Sequence, residues 1–139
     1  MAGSLEALKQ RLLSSWTYLD VLALAMAKAD GTRFVADPQK WNQVVADLKR
    51  RIQGNAPKLL EGVFFDWRDP GAPYSEQVEG FFRVMARSRS LSLGNPAYEV
   101  YEMKPQAKKD IADNQGPLLR EYENIIDEMA SEIDTRLKA

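Results

Sequence analysis

Apolar residues recur along this chain at spacings of three and four, the pattern of amphipathic helices. The first run places Leu5, Leu8, Leu12, Trp16, Leu19, Leu22, Ala23 and Met26 on one face. It predicts a helix over residues 5–29, with Ser4 as N-cap and Asp30-Gly31 as its stop. Leu13, Val21 and Leu24 spread apolar groups onto its other faces, and a helix apolar nearly all round is a buried one. Phe34 and Val35 follow in a short connector expected to tuck against the core.

Asp37-Pro38 then opens a second helix, Asp as cap and Pro at the first helical position, with Trp41, Val44, Val45, Leu48 and Ile52 as its stripe. A third helix is predicted from Pro57, on the stripe Leu59, Leu60, Val63, Phe64 and Trp67. Asp-Pro-Gly-Ala-Pro-Tyr over residues 69–74 is the strongest loop signal in the chain. Ser75 caps a fourth helix with the face Val78, Phe81, Phe82 and Met85, ending before Gly94-Asn95-Pro96. Residues 97–103 suit either a helical turn or a strand. The helix is preferred, because a lone strand would leave its backbone groups unpaired. Over residues 105–137 the apolar phase continues through Ala107, Ile111, Leu118, Leu119, Tyr122, Ile125, Ile126, Met129 and Ile133. Gly116-Pro117 has to bend that path, since Pro lacks the N–H and clashes with the preceding turn. Phase continuity predicts one kinked path whose two halves share the same neighbours.

The expected fold is therefore all-α: a single compact domain spanning residues 1–139, built as a bundle of four to five mainly antiparallel helices. The 139 residues, with 45% hydrophobic and 28% charged, suit one globular core. The chain has no Cys and no His. That excludes disulfides, thiol chemistry and thiolate zinc sites, and removes the side chain that titrates nearest neutrality. Met-Ala-Gly-Ser at the start lacks the layout of a signal peptide. The longest apolar run, residues 21–27, falls far short of the roughly 20 residues of a membrane span. A cytoplasmic location is expected, and the net charge of −1 predicts no general attraction to nucleic acid or to a membrane surface.

Acids are plentiful near the C-terminus, but Glu121, Glu128 and Glu132 fall on one rim of the apolar stripe and Glu123, Asp127 and Asp134 on the other. None points down its middle, so neither a metal nor a cofactor is expected. The paired Glu-Glu-x-x-Glu motif of helical nucleotide pyrophosphohydrolases has no counterpart, because no Glu-Glu pair exists. Lys49, Arg50 and Arg51 sit 100° apart on a helix and point in three directions, in a last turn where cations complement the dipole. Asp20 is the one charge among residues 18–27, and is expected to be hydrogen-bonded or to reach the surface.

Two features carry functional weight. Residues 81–95 contain no acid, and Arg83 and Arg87 lie one helical turn apart, an arrangement able to orient an anionic ligand. Tyr18, Val21, Leu24 and Phe65 lie off the faces a simple bundle would bury, a surplus of apolar surface of the kind that another chain or a ligand covers. The first expectation is a non-enzymatic interaction module that self-associates as a homodimer, or docks on a protein partner, through Tyr18, Val21, Leu24 and Phe65. The second is a small-molecule binder, its pocket lined by Trp and Tyr with Arg83 or Arg87 holding an anionic, apolar-bodied ligand. With no Cys or His and no convergent acids, EDTA is expected to leave the melting temperature unchanged in a thermal scan, and a fall of many degrees would reveal a structural ion.

Overall fold

A computed structural model of the chain describes residues 16–68, 71–93 and 100–139. The Ser4 cap, the early stripe from Leu5 to Leu13, Asp69-Pro70, and the Gly94-Asn95-Pro96 stop with Tyr98 lie outside the described residues. The described elements are α1 (Tyr18–Lys28), β1 (Arg33–Val35), α2 (Pro38–Ile52), a 3-10 turn (Pro57–Leu60), β2 (Asp66–Arg68), β3 (Ala72–Tyr74), α3 (Glu76–Arg87), β4 (Ser92–Leu93), β5 (Val100–Glu102), α4 (Pro105–Asn114) and α5 (Gly116–Leu137). Helix dominates, but the fold is not purely α. One antiparallel sheet runs β1-β5-β4 and a hairpin joins β2 to β3. Among the described residues no helix is long and apolar enough to cross a membrane.

α1 is the buried element. Six consecutive residues, Val21, Leu22, Ala23, Leu24, Ala25 and Met26, are enclosed on every side, as its all-round apolar character requires. It packs on α4, α5, the 3-10 turn and α3. Its start differs from the sequence expectation. Thr17 is extended (φ −123°, ψ 176°) and caps the helix, so the described helix begins at Tyr18. The Thr17 N–H donates to Asp20 Oδ2 (2.9 Å) and Leu19 N–H to Thr17 Oγ1 (3.2 Å), the reciprocal capping box. Gln115 Nε2 donates to the other Asp20 oxygen at 2.9 Å. Asp20 is thus hydrogen-bonded at both oxygens and belongs to the architecture.

The other end of α1 is closed by later parts of the chain. Asp134 accepts the Asp30 and Gly31 N–H groups at 2.6 and 3.0 Å, while Lys108 Nζ donates to the carbonyls of Ala29 and Gly31. Burial pulls the Lys108 ammonium below its ordinary value, against the opposing charges of Asp134 and Asp30. α4 and α5 meet at Gln115 (φ −109°, ψ 29°), and α5 bends again at Tyr122 (φ −125°, ψ 28°). Both helices pack on α1, the shared neighbour that the unbroken apolar phase predicts.

Two expectations need correction. The third helix stops after the 3-10 turn, and residues 66–68 enter a hairpin instead. Gly71, with φ +105°, takes a conformation that glycine adopts without steric cost where the chain returns into β3. Residues 100–102 form a strand, not a helical turn, and that strand is not alone. Tyr101 pairs with Phe34 and Leu93 with Tyr101, so the backbone groups that argued against a strand have partners far away in sequence. α3 ends in a Schellman arrangement, Arg89 N–H to Ala86 O (3.1 Å) and Ser90 N–H to Met85 O (3.0 Å). Arg89 holds the left-handed position, φ 62°, and the reversal delivers Ser92 and Leu93 to the sheet.

α2 keeps the predicted start and face. Asp37 accepts from Gln39 N–H (3.0 Å) and Lys40 N–H (3.4 Å), and Trp41, Val44, Val45, Leu48 and Ile52 are buried. Asp47, on its outer side, joins α2 to α5 through Arg136 (2.7 Å) and also meets Arg50 (2.9 Å). Burial pushes its carboxyl up. Hydrogen bonds from Arg136 and Gln43, with the charges of Arg136 and Arg50, outweigh this and hold it below the ordinary 3.8.

Two predictions follow from these joints. Lys108→Met strands the Ala29 and Gly31 carbonyls and is expected to cost about 1–3 kcal/mol in urea unfolding. A depressed carboxyl pKa contributes stability that is present above the unfolded value of 3.8 and is lost as pH falls through the lower folded value. The melting temperature should therefore fall in acid below about pH 4, and less steeply in Asp47→Asn, whose neutral-pH stability should already be reduced.

Candidate ligand-binding cleft

Aromatic side chains from four elements converge between α2, α3 and the three-stranded sheet. Trp41 and Asn42 come from the first turns of α2, Phe82 and Arg83 from α3, Tyr74 from the end of β3 and Tyr101 from β5. Together with Val78, Ala86 and Leu91 they line an open, mainly apolar cleft of about 610 Å³.

Packing fixes the rings. Trp41 Nε1 donates to Val35 O at 2.6 Å, which orients the indole edge toward β1. Phe82 lies edge-on to Trp41 (centroids 4.8 Å, 70°) and parallel to Tyr101 (4.4 Å, 5°). Phe81 braces Phe82 from the core side at 5.0 Å. Asn42 is a buried polar residue whose bonds are made. Its Nδ2 donates to Pro38 O (2.8 Å), and its Oδ1 accepts the Ser75 N–H (3.0 Å). Asn42 therefore locks the start of α3 to α2 and holds the cleft walls at a fixed separation. Ser75 Oγ caps α3 by accepting from Val78 N–H (3.3 Å).

The ionisable groups of the lining are Tyr74, Glu79, Arg83 and Tyr101. The Tyr74 hydroxyl donates to Glu79. Arg83 meets Glu79 at 4.0 Å with 64% of its side chain exposed, a weak surface pair. The Tyr101 hydroxyl has no hydrogen-bond partner among the described residues, and burial raises its pKa above 10.0, so it stands in the cleft as a neutral donor. The cleft thus offers flat apolar walls, the Tyr101 hydroxyl and one loosely held guanidinium, beside the Tyr74 and Ser92 hydroxyls and the Glu79 carboxylate. Among the described residues no group of three or more acidic, Cys or His side chains is placed to hold a metal ion.

The candidates from sequence divide sharply. Val21 and Leu24 are fully enclosed and offer no surface, because α1 is surrounded by α4, α5, the 3-10 turn and α3. This corrects the expected docking face. Tyr18 and Phe65 are half-buried against the same core. The Tyr18 ring lies so close to Gly62 that a Cβ there would stand 2.8 Å from it. Arg83 lines the cleft; Arg87, one turn on, is exposed and is not part of its lining. Lys49, Arg50 and Arg51 diverge as expected, to Val63 O, Asp47 and Glu132.

Sequence reasoning assigned Trp41 and Phe82 to the core; Trp41 is buried there, while Phe82 is only half-buried, and that the two line one cleft was missed. Tyr101 was missed because its strand partners lie at positions 34 and 93. A second concavity, of about 800 Å³, lies between the end of α3 and the start of α4. It has no aromatic residue in its lining, and Arg89, Glu102, Lys104 and Asp110 mix both charges there. The chain matches no family model, no curated protein and no solved structure.

Proposed function

We propose that the protein is a non-catalytic binding module that takes a small, anionic, apolar-bodied ligand into the Trp41–Phe82–Tyr101 cleft. The observation that carries this reading is the convergence of those three rings with Arg83 on a cleft of about 610 Å³. Ligand sites of roughly 300–1,000 Å³, apolar with a few placed polar groups, are the common form. In this reading a flat or aliphatic body lies along the rings. Its carboxylate, sulfonate or phosphate meets the Arg83 guanidinium, which gives up little in leaving Glu79 at 4.0 Å. Tyr101 donates to a second ligand atom.

The proposal keeps the protein in the cytoplasm. It also keeps the helices as a bundle of mainly antiparallel neighbours; the packing of α1 on α4 and α5 and of α2 on α3 supports the bundle. The test is a thermal-shift panel of aromatic and aliphatic acids with their neutral amides. A ligand at one hundred times its Kd should stabilise the protein by about 2.7 kcal/mol, a rise of several degrees. Ala86 is an exposed wall residue, so Ala86→Trp should fill the cleft and abolish the shift while keeping its own melting temperature. Arg83→Gln should lose the preference for acids over amides. Equal shifts in wild type and Ala86→Trp would place binding elsewhere and overturn the proposal.

A further inference from the structure

Among the described residues the strand edges are closed, with one exception. β1 is covered by the chain's own C-terminus, where Phe34 bridges to Lys138 and the Ala139 N–H donates to Arg33 O (3.1 Å). β4 is only two residues long. β3 packs on α2 and carries the buried Pro73 at its centre, which has no N–H to offer. β2 packs chiefly on β3. Beside it stand the most exposed large apolar side chains among the described residues, Phe64 at 66% and Trp67 at 61%. Proteins blunt such an edge by shortness, charge, Pro or a bulge; β2 is three residues long and carries a charge on each side of Trp67, but no Pro interrupts it.

The register fixes what that edge presents. Asp66 pairs with Tyr74, Trp67 with Pro73 and Arg68 with Ala72. In an antiparallel ladder, pairs that exchange hydrogen bonds alternate with pairs that do not. Pro73 cannot donate, so Trp67 and Pro73 form the non-bonded pair, and the pairs on either side carry the hairpin's bonds. The N–H and C=O of Trp67 therefore point away from β3, toward the open edge.

We propose that this edge is a homodimer interface, formed when β2 of two copies pair antiparallel about a twofold axis at Trp67. The choice of a second copy as occupant rests on charge. With Trp67 opposite Trp67, acidic position 66 faces basic position 68 of the other copy, twice, by symmetry. The sequence Asp-Trp-Arg is self-complementary in that register and in no other. The outward N–H and C=O of each Trp67 are satisfied by its counterpart. The two indoles come to lie side by side on one face and cover each other. Phe64 and Trp67 also share a shallow depression of about 370 Å³ with Lys49 and Gln53, which the second copy would shield from water.

Sedimentation equilibrium of the full chain from micromolar to millimolar concentration tests the proposal. Wild type should move from monomer to dimer, with a blue shift of tryptophan emission as the indoles leave water. Asp66 is exposed, so Asp66→Arg should keep its helical circular dichroism while placing like charges opposite each other twice. It should raise the dissociation constant by roughly tenfold or more. Asp66→Arg combined with Arg68→Asp reverses both charges and should restore dimerisation. A wild type that stays monomeric to millimolar concentration overturns the proposal. So does an Asp66→Arg variant that associates as tightly as wild type, or a folded double variant that remains monomeric.

Discussion

The enclosure of α1 on all sides is the constraint on which the rest of this fold depends. Six consecutive buried residues leave the helix no face to turn toward water, so every neighbour is recruited as cover. The ends of α1 come out at exposed residues, Thr17 at the start and Lys28 and Asp30 at the finish, and the backbone groups there are partnered by side chains. At the start, Thr17 and Asp20 cap each other and Gln115 reaches back to Asp20. At the finish, Asp134 takes the N–H groups and Lys108 the carbonyls. α4 and α5 thus supply apolar cover and polar termination together. Their joint at Gln115 serves both roles, because it holds two helices against one partner.

The sheet is what turns a helical core into one with a cleft. Tyr101 reaches Phe82 because β5 pairs with β1 and β4. A helical turn at residues 100–102, with its side chains 100° apart, would not present the ring in that plane. Phe34, paired with Tyr101 in the ladder, also stacks edge-on to Trp41 at 6.2 Å. The floor of the cleft is therefore one continuous chain of rings, anchored in the core by Phe34, Phe81 and Trp41 and open where Phe82 and Tyr101 are half-buried.

Much of this was legible in the sequence wherever a stripe and a cap occurred together. Asp37-Pro38 and Ser75 marked the starts of α2 and α3 to the residue, although α3 ends at Arg87, well short of the Gly94 stop, and the apolar phase across Gly116-Pro117 foretold the shared packing of α4 and α5. Reading failed where elements were three residues long, too short for any period to register. The error at residues 63–67 is instructive. A helical stripe places Val63, Phe64 and Trp67 inward and Phe65 outward, but an extended chain alternates. Val63 is buried, Phe65 half-buried and Phe64 exposed, as alternation requires, while Trp67 is exposed although alternation alone would set it with Val63. At Phe64 the misread period exchanged core for surface. The strand at residues 100–102 was lost for another reason: its partners come from positions 33–35 and 92–93, and a single sequence carries no sign of such pairing. Arg83 was found because a run without acids is visible locally. Tyr101 was not, since its neighbours are set by the sheet.

The contact of Lys108 with the Ala29 and Gly31 carbonyls beside Asp134 has one more consequence. Two main-chain oxygens and a carboxylate around a single positive charge are the surroundings that many loops give to a calcium or sodium ion. Here the cation is tethered by its own side chain to α4. A diffusible ion must be captured from solution and leaves when its concentration drops; this one is delivered by folding and stays. The turn after α1 is thus closed by a charge that arrives with the chain itself, and α4 is pinned in place by the charge it carries.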